Sequence, residues 1–132
     1  MKKLQLSLFK EHFDKTKAGI KKEDYRALNA YWASRLLKDF FNGIRPQKWW
    51  QKEFFDGANQ EEIAENLLLI SRIKYFDINR MTLGYPSATD TARILELQHK
   101  GIEIREGNPD WGAEPGVLYF CILHGDILNN QN

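Results

Sequence analysis

Residues 19–26 join a predicted helix to a densely charged segment, and they are Gly19-Ile20-Lys21-Lys22-Glu23-Asp24-Tyr25-Arg26. Gly19 suits the left-handed position that commonly closes a helix, so the helix predicted over residues 11–18 ends there. If the residues that follow are extended, Lys22, Asp24 and Arg26 share one face of a strand. The charge density of this segment is too high for a plain core strand, which makes it a candidate functional segment.

Short strands are predicted on both sides of this segment. Leu4, Leu6 and Leu8 alternate with polar residues, which is the period of a half-buried strand. Turns that contain glycine or proline separate four more predicted strands, over residues 74–82, 93–98, 102–105 and 117–123. This pattern favours one α+β domain over residues 1–132, built on a small closed or nearly closed β-barrel and decorated by helices.

A helix over residues 30–41 is predicted after the charged segment, with Asn29 as its N-cap and Gly43 at its end. Trp32 lies on the apolar stripe of this helix, so we expect its side chain in the core. Tyr31 and Arg35 are four residues apart on the opposite side, so the two side chains can touch.

Two further helices complete a helical insertion over about residues 37–72. Pro46 suits the first turn of one helix, which ends at Asp56-Gly57 and carries the aromatic residues Trp49, Trp50, Phe54 and Phe55. The other begins at about Gln60 and is expected to bury Ile63, Leu67 and Ile70. We expect the aromatic side chains to cover one end of the barrel. The alternative is an exposed apolar patch that binds a partner or forms a homodimer.

The charge of the chain is unevenly distributed. Residues 1–50 carry 12 Lys and Arg against 5 Asp and Glu, a net of +7, and residues 51–132 carry 7 against 13, a net of −6. A basic face of this kind could bind a phosphate or nucleic acid. The alternative is that the two halves only balance each other.

Cysteine content and the first residues of the chain indicate the compartment. Cys121 is the single cysteine, so no internal disulfide and no Cys-rich metal site can form. The apolar stretch after Met1 is too short for a signal sequence or a membrane span. We therefore predict a cytoplasmic protein that does not associate with membranes.

Residues 19–26 resemble the G-x-K-x-x-E-x-R signature of ASCH domains, a family of PUA-like barrels, with the last acid shortened to Asp24. Further segments are similar, in the same order, to a phage- and bacteria-associated branch of this family. They are Tyr31-Trp32-x-x-Arg35-Leu36, Gly84-Tyr85-Pro86, Gly101-Ile102 and Trp111-Gly112-Ala113-Glu114. The resemblance covers most of the chain outside residues 37–72, and it implies a PUA-like barrel.

The resemblance also implies a class of ligand. PUA-like domains bind RNA, some ASCH members are ribonucleases, and others are amidohydrolases that remove an acyl group from the exocyclic nitrogen of a modified cytidine. We therefore expect this chain to bind RNA, a nucleotide or a nucleoside, without a cofactor. The alternatives are a hydrolase that acts on a modified nucleoside or on RNA, and a protein-interaction module that uses the aromatic insertion.

Lys21, Asp24 and Glu114 are the candidate catalytic residues. A lysine that is desolvated near a barrel mouth can act as a base or a nucleophile. In the amidohydrolase-like members, the motif lysine works with a threonine at the position matched by Asp24 and with a glutamate further along the chain. Asp24 would instead accept a proton or anchor Lys21, and Glu114 would be the second carboxylate. The alternative is a solvated ion-pair network within residues 21–26.

Aromatic and arginine side chains are the candidate ligand-binding residues. Trp111, Tyr85 and Tyr31 could stack on a base. Arg26, Arg35 and Arg93 could bind a phosphate, because a guanidinium group can pair with two phosphate oxygens at once. The alternative is that they form ordinary salt bridges. We expect a cleft lined by Lys21, Asp24, Arg26, Tyr85 and Trp111.

Metal and nucleotide-hydrolase motifs are missing from the sequence. His12, His99 and His124 have no acid or cysteine at metal-ligand spacing, so no zinc site is predicted. No P-loop, dinucleotide-binding or serine-hydrolase motif occurs, which argues against those enzyme classes.

Overall fold

A computed structural model of the chain describes residues 1–38, 40 and 45–129. In chain order its elements are β1 (Lys3–Leu8), α1 (Lys10–Lys17), β2 (Glu23–Ala27), α2 (Ala30–Leu36), β3 (Leu37–Lys38), α3 (Gln47–Trp50), α4 (Gln60–Ile70), β4 (Arg72–Ile73), β5 (Ile78–Leu83), β6 (Ile94–Glu106) and β7 (Leu118–Ile127). A π-helical segment, Gln51–Phe55, continues α3 directly. The predicted α+β class is confirmed.

The long strands belong to a curled five-stranded sheet of the kind found in small barrel-like folds. The strand order is β1-β5-β6-β7-β2, and β3 pairs with β4 separately. β1 runs parallel to β5, whereas β5 and β6 are antiparallel. The predicted strands over residues 93–98 and 102–105 are one continuous strand, β6. Gly101 has a φ of +120°, which glycine readily adopts, so the strand passes through it without ending.

The chain forms two compact units. The first comprises Met1–Asp24, Tyr75–Gly101 and Ile122–Asn132, and the second comprises Tyr25–Lys74 and Ile102–Cys121. The assignment of residues 1–132 to one domain stays a prediction. Among the described residues, no helix is both long enough and apolar enough to cross a membrane.

The core of the first unit lies where β1 packs beside β5. Leu4, Leu6 and Leu8 are buried, as their alternation predicts, and Leu6 lies opposite Met81 in the parallel register. α1 buries Phe13 and Thr16. Gly19 follows this helix with a φ of +77°, which confirms the predicted helix end.

Helix α2 of the second unit begins as predicted and ends early. The Asn29 side chain accepts a hydrogen bond from the Trp32 amide at 2.9 Å, which confirms the cap. The helix ends at Leu36 because Leu37 is extended and pairs with Ile73 in β4. Part of the predicted helix end, including Phe41 and Gly43, lies outside the described residues.

Two side chains predicted to be buried are not. The buried face of α2 runs through Ala30, Ala33 and Leu36, so Trp32 lies at its border and is half-buried. Ile70 is the last residue of α4 and is exposed, whereas Ile63 and Leu67 are buried as predicted. The core expectation was therefore wrong for Trp32 and Ile70.

The aromatic residues of the insertion pack on one another. Phe40 is buried, and its ring centroid lies 4.9 Å from that of Trp50 and 5.8 Å from that of Phe54. Trp49 packs edge-on against Trp50, and Phe55 is buried. These aromatic side chains thus form a cluster within the second unit.

Candidate functional site

A solvent-open pocket of about 320 Å³ lies in the first unit beside Lys21. The end of α1 and the turn after it, β6, and the end of β7 form its walls. The lining residues are Thr16, Gly19, Lys21, Lys22, Leu97, His124, Gly125, Asp126 and Ile127. The volume lies at the small end of the range of ligand pockets, so it suits a group the size of a single ring system.

The turn at Gly19 directs Lys21 back toward α1. The amides of Ile20 and Lys21 both donate to the Lys15 carbonyl, at 3.0 and 3.1 Å. The Gly19 amide donates to the Thr16 carbonyl. These bonds close the end of the helix, and they place the Lys21 side chain beside a residue two turns earlier in the chain, His12.

Lys21 is a buried cation with two neighbours that can interact with its charge. Its side chain is 4% exposed, and Nζ lies 2.9 Å from His12 Nδ1 and 3.9 Å from Asp24 Oδ1. Asp24 is also 4% exposed. An ammonium group only donates, so His12 Nδ1 accepts and the neutral His12 ring carries its proton on Nε2. Lys21, His12 and Asp24 are hereafter the lysine cluster.

The charge of Lys21 affects the titration of His12. Burial lowers the pKa of His12, and the positive charge of Lys21 lowers it further. Glu11 and Asp24 act in the opposite direction. The net effect favours the neutral ring, which is the form that can accept from Lys21.

His124 holds the backbone of Lys21 from the β7 side. Its Nε2 lies 3.2 Å from the Lys21 carbonyl oxygen, and because that oxygen only accepts, Nε2 donates. The ring is 9% exposed, and its Nδ1 has no hydrogen-bond partner among the described residues. Burial lowers the pKa of His124 and keeps the ring neutral.

Two of the three predicted catalytic residues lie in the first unit. Lys21 and Asp24 come together, and the contribution of His12 and His124 was not predicted. His12 lies nine residues before the motif lysine, and the turn at the end of α1 brings the two side chains together. This spacing was the signal by which His12 could have been found. Glu114 lies exposed on a loop of the second unit, where its amide donates to the Tyr119 hydroxyl at 3.0 Å.

Three predicted ligand-binding residues meet in the second unit. Arg35 Nη1 donates to the Tyr31 hydroxyl at 2.8 Å, and the guanidinium carbon lies 5.1 Å from the Trp32 ring centroid. The Arg26 guanidinium lies 4.8 Å from the same centroid. Both distances are within the range of cation–π attraction. Arg26, Tyr31, Trp32 and Arg35 are hereafter the arginine–tryptophan cluster.

The other predicted ligand-binding residues have separate positions. Tyr85 is 94% exposed and is not among the residues that line the pocket. Arg93 Nη2 donates to the Leu83 carbonyl at 2.7 Å, so it supports the turn at Gly84. Trp111 is half-buried in a 3₁₀ turn, on the same loop of the second unit as Glu114.

The loop that carries Trp111 and Glu114 is attached to α4. Gln60 Nε2 donates to the Gly116 carbonyl, and Gln60 Oε1 accepts from the Leu118 amide, both at 2.7 Å. The Gly116 amide also donates to Glu106 Oε1 at 2.7 Å. The first residue of α4 thus fixes the backbone of this loop.

Polar residues elsewhere in the first unit have structural roles. His99 Nδ1 lies 2.7 Å from Asn79 Oδ1, and Asn79 Nδ2 donates to the Leu123 carbonyl. Within the described part of the chain, no group of three or more His, Cys, Asp and Glu side chains is arranged to hold a metal ion.

Comparison with family models, with curated proteins and with solved structures finds no match to this chain. The resemblance to ASCH domains therefore stays a prediction that rests on the motif residues.

Proposed function

We propose that this chain is a PUA-like ASCH domain that binds a nucleotide or a short single-stranded RNA, with a base in the pocket beside Lys21. The observation that carries this proposal is that Lys21 lines the pocket and that its ammonium group is held by His12 in the lysine cluster. A buried ammonium group held by a neutral histidine is a fixed hydrogen-bond donor. Such a donor suits a base carbonyl or another polar acceptor.

The charges around the pocket favour a neutral ring over a phosphate. Lys21 and Lys22 line the pocket, but Asp126 also lines it and Asp24 lies behind Lys21. Two positive and two negative charges therefore balance locally. A phosphate gains little from a balanced site, whereas an uncharged polar ring can use both donors and acceptors.

The arginine–tryptophan cluster supports a separate contribution to binding. Two guanidinium groups meet one indole ring, and Tyr31 beside them is 46% exposed. Guanidinium groups bind phosphate oxygens, and exposed aromatic rings stack on bases. We propose that this cluster is a nucleic-acid contact of the second unit in its own right, which binds a phosphate or stacks on a base.

Affinity measurements with a short RNA and with the four nucleosides test the proposal. Lys21→Met removes the ammonium and keeps the apolar stem, and we expect it to weaken binding by at least about tenfold, the effect of losing one charged hydrogen bond. Lys10→Met is the matched control, because Lys10 is an exposed lysine on α1 paired with Asp14. Circular dichroism checks the fold of each variant. If the unmodified chain binds neither the RNA nor any nucleoside, or if Lys21→Met binds as tightly as the unmodified chain, the proposed site is wrong.

A second candidate function is hydrolysis of an acylated nucleoside, and the burial of Lys21 beside a neutral His12 favours it. As a free amine, Lys21 would take a proton from water as the water oxygen attacks the acyl carbon. It would then return that proton to the leaving nitrogen as the C–N bond breaks. Asp24, 3.9 Å away, would stabilise the transient ammonium.

A panel of acylated nucleosides and labelled RNA tests this candidate. We expect Lys21→Met to abolish turnover and Asp24→Asn to reduce it. Glu114→Gln tests the predicted second carboxylate separately. Turnover that survives Lys21→Met would exclude this mechanism.

A further inference from the structure

The end of α2 and the β3–β4 pair bring basic residues together in the second unit. Residues 26–39 and 72–74 carry five Lys and Arg against one acid, Asp39, which lies outside the described residues. Lys38 and Arg72 lie directly opposite each other in the antiparallel register, and both are exposed. Like charges at such positions repel each other, so a negatively charged partner would stabilise this pairing. The five basic residues are Arg26, Arg35, Lys38, Arg72 and Lys74.

Lys74 places its charge at the end of α2. Its amide donates to the Leu36 carbonyl at 2.9 Å, and its Nζ donates to the Ser34 carbonyl at 3.1 Å. Both acceptors are neutral backbone oxygens, so these bonds fix the position of the residue without neutralising its charge. Lys38 follows α2 on the adjoining strand. The two lysines therefore lie on one part of the surface of the second unit.

The arginine–tryptophan cluster continues this basic surface along α2. Arg35 is in the last turn of the helix, next to Ser34. The Tyr31 hydroxyl accepts from Arg35 Nη1 at 2.8 Å, so its own proton remains to be donated to another acceptor. Tyr31 is also 46% exposed, and an exposed aromatic ring can stack on a base. Basic residues beside an exposed aromatic ring are the groups that bind single-stranded nucleic acid.

We propose that the backbone of a single-stranded RNA crosses this surface, with phosphates at Lys38 and Lys74 and a base stacked on Tyr31. The inference deepens the proposed RNA binding and rests on it for the kind of ligand. Five positive charges against one negative charge complement a chain with one phosphate per nucleotide. The exposed ring of Tyr31 favours a nucleic acid over an acidic peptide, which has no base to stack.

The three arginines of this surface make further contacts within the chain, so the proposal assigns phosphates to the two lysines only. Lys38, Lys74 and Tyr31 are hereafter the backbone-binding site. Each phosphate contact on a single strand contributes about 0.7 to the slope of log affinity against log salt concentration. Loss of both lysines should therefore lower this slope by about 1.4.

The affinity of the full chain for a short single-stranded RNA, measured from low to high salt, tests the proposal. We expect the Lys38→Gln, Lys74→Gln double variant to show the reduced slope, and the Lys38→Arg, Lys74→Arg double variant to keep the original slope. The Lys2→Gln, Lys10→Gln double variant is the matched control, because it loses the same charge from exposed lysines of the first unit. Circular dichroism checks the fold of each variant.

Nucleoside affinity, measured on the same proteins, separates this site from the pocket. A nucleoside has no phosphate, so the Lys38→Gln, Lys74→Gln double variant should bind it as the unmodified chain does. If the unmodified chain does not bind the RNA, or if the control lowers the slope as much as this variant does, the backbone-binding site is wrong. Nucleoside binding and its loss in Lys21→Met decide separately on the pocket.

Tyr31→Leu tests the stacking contact. We expect RNA affinity to fall at least about fivefold, the effect of losing one stacked base, with an unchanged salt slope. Tyr75→Leu is the matched control, because Tyr75 is a 69% exposed tyrosine of the first unit whose hydroxyl also makes a side-chain hydrogen bond. Equal losses in the two variants would overturn the role of Tyr31.

Discussion

The buried ion pair in the lysine cluster should couple the stability contributions of Lys21 and Asp24 strongly. At 3.9 Å and an effective dielectric constant of about 20, the attraction between the two charges is about 4 kcal/mol. Because both residues are 4% exposed, removing one of them takes a nearby opposite charge away from the buried charge that remains. Lys21→Met or Asp24→Asn should therefore each lower the free energy of unfolding by about 3–5 kcal/mol.

The double variant should lose much less than the sum of the two single losses, because it removes both buried charges together. Urea unfolding of the four proteins measures the coupling, and we expect at least about 2 kcal/mol. The matched control is the Lys10–Asp14 pair, whose atoms are closer, at 2.6 Å, but whose side chains are 78 and 54% exposed. That pair should couple by no more than about 0.5 kcal/mol. Additive losses for Lys21 and Asp24 would refute the reasoning that burial, rather than distance, determines the coupling.

Three further predictions concern the pH dependence of stability, the salt dependence of RNA binding and the packing around Gly125. The pKa of His12 is lowered in the folded protein from its ordinary value of 6.5, so the unfolded chain binds the proton more readily. The contribution of this ring should be complete above about pH 6.5 and should be lost as the pH falls through the folded pKa. Urea unfolding at pH 7.5 and 5.5 should therefore show a smaller drop in the free energy of unfolding for His12→Gln than for the unmodified chain, and an equal drop would contradict this. Affinity for a short RNA should fall with salt as expected for about two to four phosphate contacts, whereas nucleoside affinity should be nearly flat; a flat response for RNA would argue against a polyanion-binding face. Gly125→Ala should lower stability by about 1–3 kcal/mol in thermal unfolding, because its Cβ would lie 2.6 Å from Gln98 Oε1 and Lys100 Cε; unchanged stability would show that both side chains move aside.

Local signals predicted several elements of the fold. The alternation of Leu4, Leu6 and Leu8, the cap at Asn29 and the glycine after α1 are each contained within a few residues, and each is confirmed. The sequence predicted a small barrel-like sheet but neither the order of its strands nor their pairing. The continuity of β6 through Gly101 depends on pairing with other strands, which no local pattern encodes.

The candidate site was predicted less completely, because its partners are distant in sequence. Lys21 and Asp24 are three residues apart in one motif, and the resemblance implied that they act together. His124 lies on β7, and its contact with the Lys21 carbonyl exists only once the sheet has formed. The stacking of Arg26 on Trp32 likewise joins residues of two different elements, β2 and α2.

The attachment of the Trp111 loop to α4 bears on how this protein can vary. Every hydrogen bond that Gln60 and Glu106 make to the loop is to its backbone. The end of the loop at Gly116 is therefore held from outside, whereas Asn108 and Gly112 within the loop shape the turn that carries Trp111. The side chains of Trp111 and Glu114 make none of these bonds, so we expect that they can be exchanged while Asn108, Gly112 and Gly116 are kept, and that recognition can be altered there by grafting.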